Sequence, residues 1–162
     1  MNSPGIGFRV GMGCDIHRLR EGGQLVVGGI VVAEGVSAIA HSDGDVAIHA
    51  LIDALLGAIG AGDIGEHFPN TSPEYRNIAS GAMLETTLQL VRRRGWRVVN
   101  ADLTVLAEKP KLKPFKTRIV AALSDALGAP VNIKAGTNEG CDAVGRGEAI
   151  AAHAVVLLVG AE

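Results

Sequence analysis

Alternation is clearest in "RVVNADLTVL", residues 97–106. Val99, Ala101, Leu103 and Val105 fall on one side, and Asn100, Asp102 and Thr104 on the other. A period of two predicts a strand covered on one face. Residues 8–17, "FRVGMGCDIH", read as a first strand. Residues 25–32, "LVVGGIVV", read as two short strands joined in a hairpin at Gly28 and Gly29. Helical spacing predicts helices over about 45–59, 81–94 and 115–127. Ser42 or Asp43 is the N-cap candidate of the first. Gly95 takes the C′ position of the second. The third carries Phe115, Ile119, Ala122, Leu123 and Ala126 on one stripe. Short and long strands follow at 131–135 and 148–159. Residues 62–79 and 136–147 have no clear period and are expected to be loops. Loops of that length are usually functional or mobile.

Strands and helices alternate along one uninterrupted pattern, with no repeat or linker. The expected fold is α/β (α+β): a single domain over residues 1–162, a mixed β-sheet with helices packed on one face. The outer side of 97–106 suits another subunit as well as it suits water.

Composition narrows the core. Hydrophobic residues make up 48% of the chain but aromatics only 3%, so the interior must be Val, Ile, Leu and Ala. A net charge of −2 argues against a broad nucleic-acid or anionic-membrane footprint. There is no charged n-region followed by a long apolar run, and no apolar stretch of about 18 residues. Cys14 and Cys141 are far apart, as reduced thiols of a cytoplasmic protein would be. Cys14 is expected to be a small buried hydrophobe. His153, among alanines and valines, is expected in the core or at an interface.

Chemistry gathers in a few places. In "CDIH", Asp15 and His17 are two apart, so a strand projects them the same way. His49 lies four residues from both Asp45 and Asp53, on one helix face. Asp15, His17 and His49 together have the composition of an open catalytic zinc centre. Asp45 or Asp53 is a candidate to orient His49. The competing reading is an ordinary His–Asp ion pair with "HSDGD" serving as a helix cap. The loop "GTNEGCDAVGRGEA" offers exposed backbone N–H groups, Thr137, Glu139 and Arg146, suited to phosphate and a hard cation such as Mg²⁺. The alternative is a mobile loop with a solvated arginine. "AEKPKLKP" offers Lys109, Lys111 and Lys113 on a proline-braced loop. On the long loop, Asp63, Glu66, His67 and Arg76 are polar, but their spacing gives no reason to choose His67 as a ligand.

These segments resemble the 2-C-methyl-D-erythritol 2,4-cyclodiphosphate synthase family. The resemblance rests on "RVGMGCDIHRL", "AHSDGDVAIHALIDALLGAIGAGDIG", "FPNTSP", "AEKPKLKP" and "GRGEAIAAHAVVLL", which together span nearly the whole chain. It implies metal-assisted attack of a substrate 2-phosphate on a β-phosphate, releasing CMP from a cytidine diphosphate substrate. It implies a cytoplasmic homotrimer whose sheets face its centre, with active sites at subunit junctions and no nucleic-acid or membrane partner. Zinc is implied on Asp15, His17 and His49, with Ile16 between the first two. His41 and Ser42 match phosphate contacts, and His41 and Thr137 match catalytic residues. Asp63, Ile64 and Gly65 match contacts to the erythritol hydroxyls. Phe68, Pro69, Asn70, Thr71 and Ser72 match a loop that covers the substrate. Ala107, Glu108, Lys109, Pro110, Lys111, Leu112 and Lys113 match a cytosine-reading loop. Gly136, Thr137, Asn138 and Glu139 match the diphosphate loop, with Glu139 on Mg²⁺ or Mn²⁺. Ala143 and Arg146 match residues near the trimer axis. Asn70, Ser72, Gly136, Asn138 and Ala143 depart from the residues usual in the family. A phosphate-ester hydrolase and a non-catalytic trimeric binding protein are the alternatives.

Overall fold

The computed structural model describes residues 7–69, 71 and 78–161. Strand β1 (Phe8–Val27) runs for 20 residues and turns at Gly28 and Gly29 into β2 (Ile30–Ala38). Both turn glycines have positive φ, 59° and 77°, as a tight two-residue hairpin requires. Helix α1 (Val46–Ala58), the single turn α2 (Ile64–His67) and α3 (Ser80–Arg93) follow. Then come β3 (Trp96–Leu106), α4 (Lys116–Leu127), β4 (Val131–Gly136), the single turn α5 (Asp142–Gly145) and β5 (Ala149–Gly160).

The five strands form one sheet in the order β2-β1-β5-β3-β4. All neighbours are antiparallel except β3 and β4, which α4 connects in parallel. The expected mixed sheet with helices on one face is therefore present. Ala152, Ala154, Val156 and Leu158 of β5 and Ala101, Leu103 and Val105 of β3 point inward and are buried. On the opposite face Val10, Met12, Ile16 and Val155 are exposed.

β1 exchanges partners along its length. Residues Phe8 to Arg18 pair with β5, and Leu19 onward with β2. Gly11, Gly13, Asp15 and His17 share the helix-side face. A Cβ on Gly11 would overlap the Ala54 carbonyl oxygen and lie 2.7 Å from Ala58 N. One on Gly13 would overlap the Ala50 carbonyl oxygen and lie 2.6 Å from Ala54 N. The strand thus rests directly on the backbone of α1. Four residues of helix rise about 6 Å and two of strand about 6.7 Å, so the elements stay nearly in step. Ala54 sits at Gly11 and Ala50 at Gly13; beside Ala50, His49 reaches Asp15 with its ring.

Gly13→Ala is therefore expected to force α1 off β1 and cost about 1–3 kcal/mol, the usual range for overpacking. Gly57→Ala, on the open side of the same helix, meets nothing nearer than Met12 O at 3.9 Å. It should instead stabilise by up to about 1 kcal/mol through helix propensity. Thermal unfolding of both variants checks the contrast.

Several local expectations need correction. The first strand does not stop at residue 17. Its polar continuation pairs with β2, with an irregularity at Gly22 and Gly23, where φ is positive. The cap of α1 is Asp45, not Ser42 or Asp43; its carboxylate accepts from Ala47 N and Ile48 N. In β3 a register shift between Val98 and Asn100 changes the phase of alternation, so Val98 is buried rather than Val99. On α4, Ala122 and Ala126 are exposed, and Leu127 joins Ile119 and Leu123 in the core. The loops at 62–79 and 136–147 contain α2 and α5. Cys14 is exposed on the outer sheet face, which no described residue covers. It pairs across the sheet with His153, which is also exposed and so outside the core.

Candidate metal centre and substrate cavity

Strand β1 supplies two donors and α1 the third. Asp15 Oδ2 lies 2.8 Å from His17 Nε2 and 3.0 Å from His49 Nδ1. The two ring nitrogens are 3.0 Å apart. The rings meet edge to face, with centroids 5.2 Å apart and planes at 74°. Tetrahedral bonds of 2.0–2.1 Å separate ligand atoms by about 3.3 Å, so the three donors need little movement to hold one cation. Two imidazole nitrogens and one carboxylate oxygen are a donor set suited to zinc, leaving a position open for a ligand. Burial alone would raise the Asp15 carboxyl. Hydrogen bonds from His17 and His49, and their charge, override it and hold the group well below the usual carboxylate range. Asp15 is thus kept in its ligating form.

His49 is buried, and its other ring nitrogen also has partners. Nε2 lies 2.9 Å from Ser80 Oγ and 3.1 Å from Ser42 Oγ. Ser80, fully buried at the start of α3, is held by Asp43. The Asp43 carboxylate accepts from Ser80 N at 2.9 Å and from the Ser80 hydroxyl. Neither expected orienting carboxylate touches His49. Asp45 is turned toward the hairpin, and Asp53 accepts from Ile64 N at 2.7 Å. No spacing rule pointed to Ser80, which lies 31 residues from His49 and reaches it only through the packing of α3 against α1.

The three donors open into a cavity of about 300 Å³. His41 and Ser42 line it on one side, Ile64, Gly65 and Phe68 on another. Asp63 is the N-cap of α2, accepting from Glu66 N at 3.0 Å, and is exposed. Pro69 and Thr71 follow at the loop, while Asn70, Ser72 and Arg76 lie outside the described residues. Ile16 points to the opposite sheet face. His67 Nε2 donates to the Ala61 carbonyl at 2.7 Å, so it ties down its loop.

A second pocket of about 150 Å³ is lined by Ala107, Pro110, Lys111, Leu112 and Lys113, together with Gly136 and Thr137. The Lys109–Pro110 bond in its wall is cis. Glu108 accepts from Asn138 N at 3.2 Å, joining the lysine-rich loop to the glycine-rich one. The Thr137 hydroxyl donates to Glu139, whose backbone is left-handed at φ 50°. Ala143 packs with Val144, Ala149 and Ala151. Arg146 is exposed and holds Glu148 through two hydrogen bonds of 2.9 and 3.0 Å. The second pocket and the metal cavity share no lining residue.

Fold and site together define a single-domain α+β protein built around an open His–His–carboxylate centre beside a cavity with one polar and one apolar wall. Residues 8–159 match the YgbB family, and the chain belongs to that family. The 2-C-methyl-D-erythritol 2,4-cyclodiphosphate synthase of Geobacillus kaustophilus is 48% identical over 154 residues, covering 93% of this chain and 98% of its own. The structure of the Plasmodium falciparum IspF CDP complex superposes with a TM-score of 0.84 at 30% identity, over 96% of this chain and 98% of that one. The bifunctional IspDF of Campylobacter jejuni superposes with a TM-score of 0.93 at 36% identity. There the match covers 97% of this chain but 43% of the longer one. Among the described residues no helix is long and apolar enough to cross a membrane.

Proposed function

We infer that this protein converts 4-diphosphocytidyl-2-C-methyl-D-erythritol 2-phosphate to 2-C-methyl-D-erythritol 2,4-cyclodiphosphate, releasing CMP. The observation that carries the reading is the Asp15–His17–His49 cluster opening onto His41 and Ser42, in a chain of this family. The substrate's own 2-phosphate is the nucleophile. One of its oxygens bonds to the β-phosphorus, the bond from that phosphorus to the bridging oxygen breaks, and CMP departs with that oxygen. The nucleophile is already an anion, so no strong general base is needed. Positioning and charge stabilisation then dominate.

The residues divide that work. Asp15, His17 and His49 would hold Zn²⁺, and Glu139 would hold Mg²⁺ or Mn²⁺. Such cations polarise phosphoryl oxygens and neutralise charge developing on them. His41 and Ser42 hold the phosphates, with His41 and Thr137 acting at the reacting groups. Asp63, Ile64 and Gly65 hold the erythritol hydroxyls, and residues Phe68 to Ser72 cover them. Ala107 to Lys113 receive the cytosine, its edge read by exposed backbone. Gly136 to Glu139 lie along the diphosphate.

A homotrimer completes the site, with Ala143 and Arg146 near its axis. Two features support it. The pocket at Ala107–Lys113 and the metal cavity of one chain share no lining residue, which fits a site whose complementary half comes from a neighbouring chain. The exposed apolar face of Val10, Met12, Ile16 and Val155 also offers a surface for packing sheets around a centre. The expected compartment is the cytoplasm.

Incubation with the cytidyl substrate, Zn²⁺ and Mg²⁺, followed by phosphorus NMR, tests the reaction. Stoichiometric CMP and cyclic diphosphate are expected. A linear product with CMP would mean hydrolysis and sink the reading. Analytical ultracentrifugation should find three chains per particle.

A further inference from the structure

The hydrogen-bond pattern behind His49 has a direction, and that direction selects the metal-binding form of the ring. The Asp43 carboxylate oxygens accept hydrogen bonds. The Ser80 hydroxyl has one hydrogen, and it goes to Asp43 Oδ1. Ser80 Oγ therefore meets His49 only as an acceptor, so Nε2, at 2.9 Å, must carry the hydrogen. A neutral imidazole has one N–H. With it on Nε2, Nδ1 presents its lone pair toward Asp15 and His17. Asp15 pulls the other way. Its oxygen lies 3.0 Å from His49 Nδ1 and is an acceptor for a hydrogen on that atom, and a hydrogen there would block ligation.

We propose that Ser80 and Asp43 form a positioning pair that holds the His49 proton on Nε2 and the ring square to the metal site. The inference rests on Asp15, His17 and His49 being metal ligands, and it concerns binding of the metal, not turnover. Geometry supports the pair twice over. Asp43 grips Ser80 through both its backbone N–H and its hydroxyl, so the hydroxyl cannot swing freely. Asp43 Oδ1 also accepts from Asp45 N at 3.2 Å, which fixes the carboxylate against the first turn of α1, the helix that carries His49. Ser42 Oγ, 3.1 Å from Nε2, shares the same hydrogen and is a weaker second acceptor.

The test is equilibrium competition for Zn²⁺ against a chelator, with three variants: Ser80→Ala, Asp43→Ala and the double variant. Outer partners of ligating histidines typically govern metal affinity by 10–100-fold. With Ser42 still present, each single variant should weaken Zn²⁺ binding about tenfold, at the lower end of that range. Because Asp43 acts through Ser80, the double variant should bind no more weakly than Ser80→Ala. In the zinc-loaded wild type, proton NMR should find the His49 Nε2–H downfield and slow to exchange. In Ser80→Ala it should move upfield and exchange faster. Three results would each overturn the pairing: Zn²⁺ affinity unchanged within twofold in both single variants, effects that add in the double variant, or an Nε2–H resonance that does not move. A purely structural role at the start of α3 would lower the unfolding temperature and leave those readouts in place. If the three ligands themselves are misassigned, His49→Ala will also leave Zn²⁺ binding intact, which separates the two failures.

Discussion

His49→Ala is expected to lose bound metal and to lower kcat/KM by about 10³-fold or more. Metal stabilisation of transferring phosphoryl charge is worth several kcal/mol, and each 1.36 kcal/mol is about tenfold in rate. The variant leaves Asp15 and His17, two donors two residues apart on one strand. It removes the only donor that α1 contributes to the cluster, 3.0 Å from both. The fold should survive. Alanine is the best helix former, and α1 keeps its seat on Gly11 and Gly13 through the backbone at Ala50 and Ala54. Metal content by elemental analysis, activity and unfolding temperature should be read on one preparation. Full activity in metal-free protein would refute the ligand assignment. Asp53→Ala is the matching control. Asp53 shares the helix face with His49 but accepts from Ile64 N, so that variant should keep its zinc and disturb the 61–68 segment instead.

That contrast marks where the sequence stops being legible. Strand and helix periods place Asp15, His17 and His49 correctly, because each period fixes which side chains share a face. The period says nothing about which neighbour a side chain turns toward. Asp45 and Asp53 stand one turn either side of His49, yet one turns back to the hairpin and the other to α2. The partner that does reach His49, Ser80, is a tertiary neighbour. The β-strand limits failed for a related reason. "RLREGGQ" has no apolar alternation, because that part of β1 is a two-stranded ribbon with β2 rather than part of the core. At Val98 and Val99 one irregular pairing step reverses the alternation, which no composition reveals. Cys14, expected to be buried, is exposed on the sheet face opposite Asp15 and His17. A period of two fixes which face a residue takes, not what covers that face.

Asp45→Ala should be the most damaging single change to stability, at about 3–5 kcal/mol. The side chain is fully buried and accepts four backbone N–H groups. Gly28 N donates to Oδ1 at 2.9 Å and Gly29 N to Oδ2 at 2.7 Å. Ala47 N and Ile48 N donate to Oδ1 at 3.2 and 3.1 Å. One carboxylate thus closes the β1–β2 hairpin and caps α1 at once. Loss of an N-cap costs about 0.5–2 kcal/mol. Each buried donor left without a partner costs about 1–3 kcal/mol more, and Gly28, Ala47 and Ile48 are buried whereas Gly29 faces water. Domains have only about 5–15 kcal/mol in total. At roughly 2–4 °C per kcal/mol for a chain of this size, the midpoint should fall by about 10 °C. Asp45→Asn keeps one acceptor oxygen and sets an amide N–H against a backbone N–H, so it should fall between alanine and wild type. Thermal unfolding at one fixed protein concentration measures all three. If Asp45→Ala melts within 2 °C of wild type, the hairpin and helix are held together by apolar packing alone, and the placement of His49 over Asp15 depends on Gly11 and Gly13 rather than on this carboxylate.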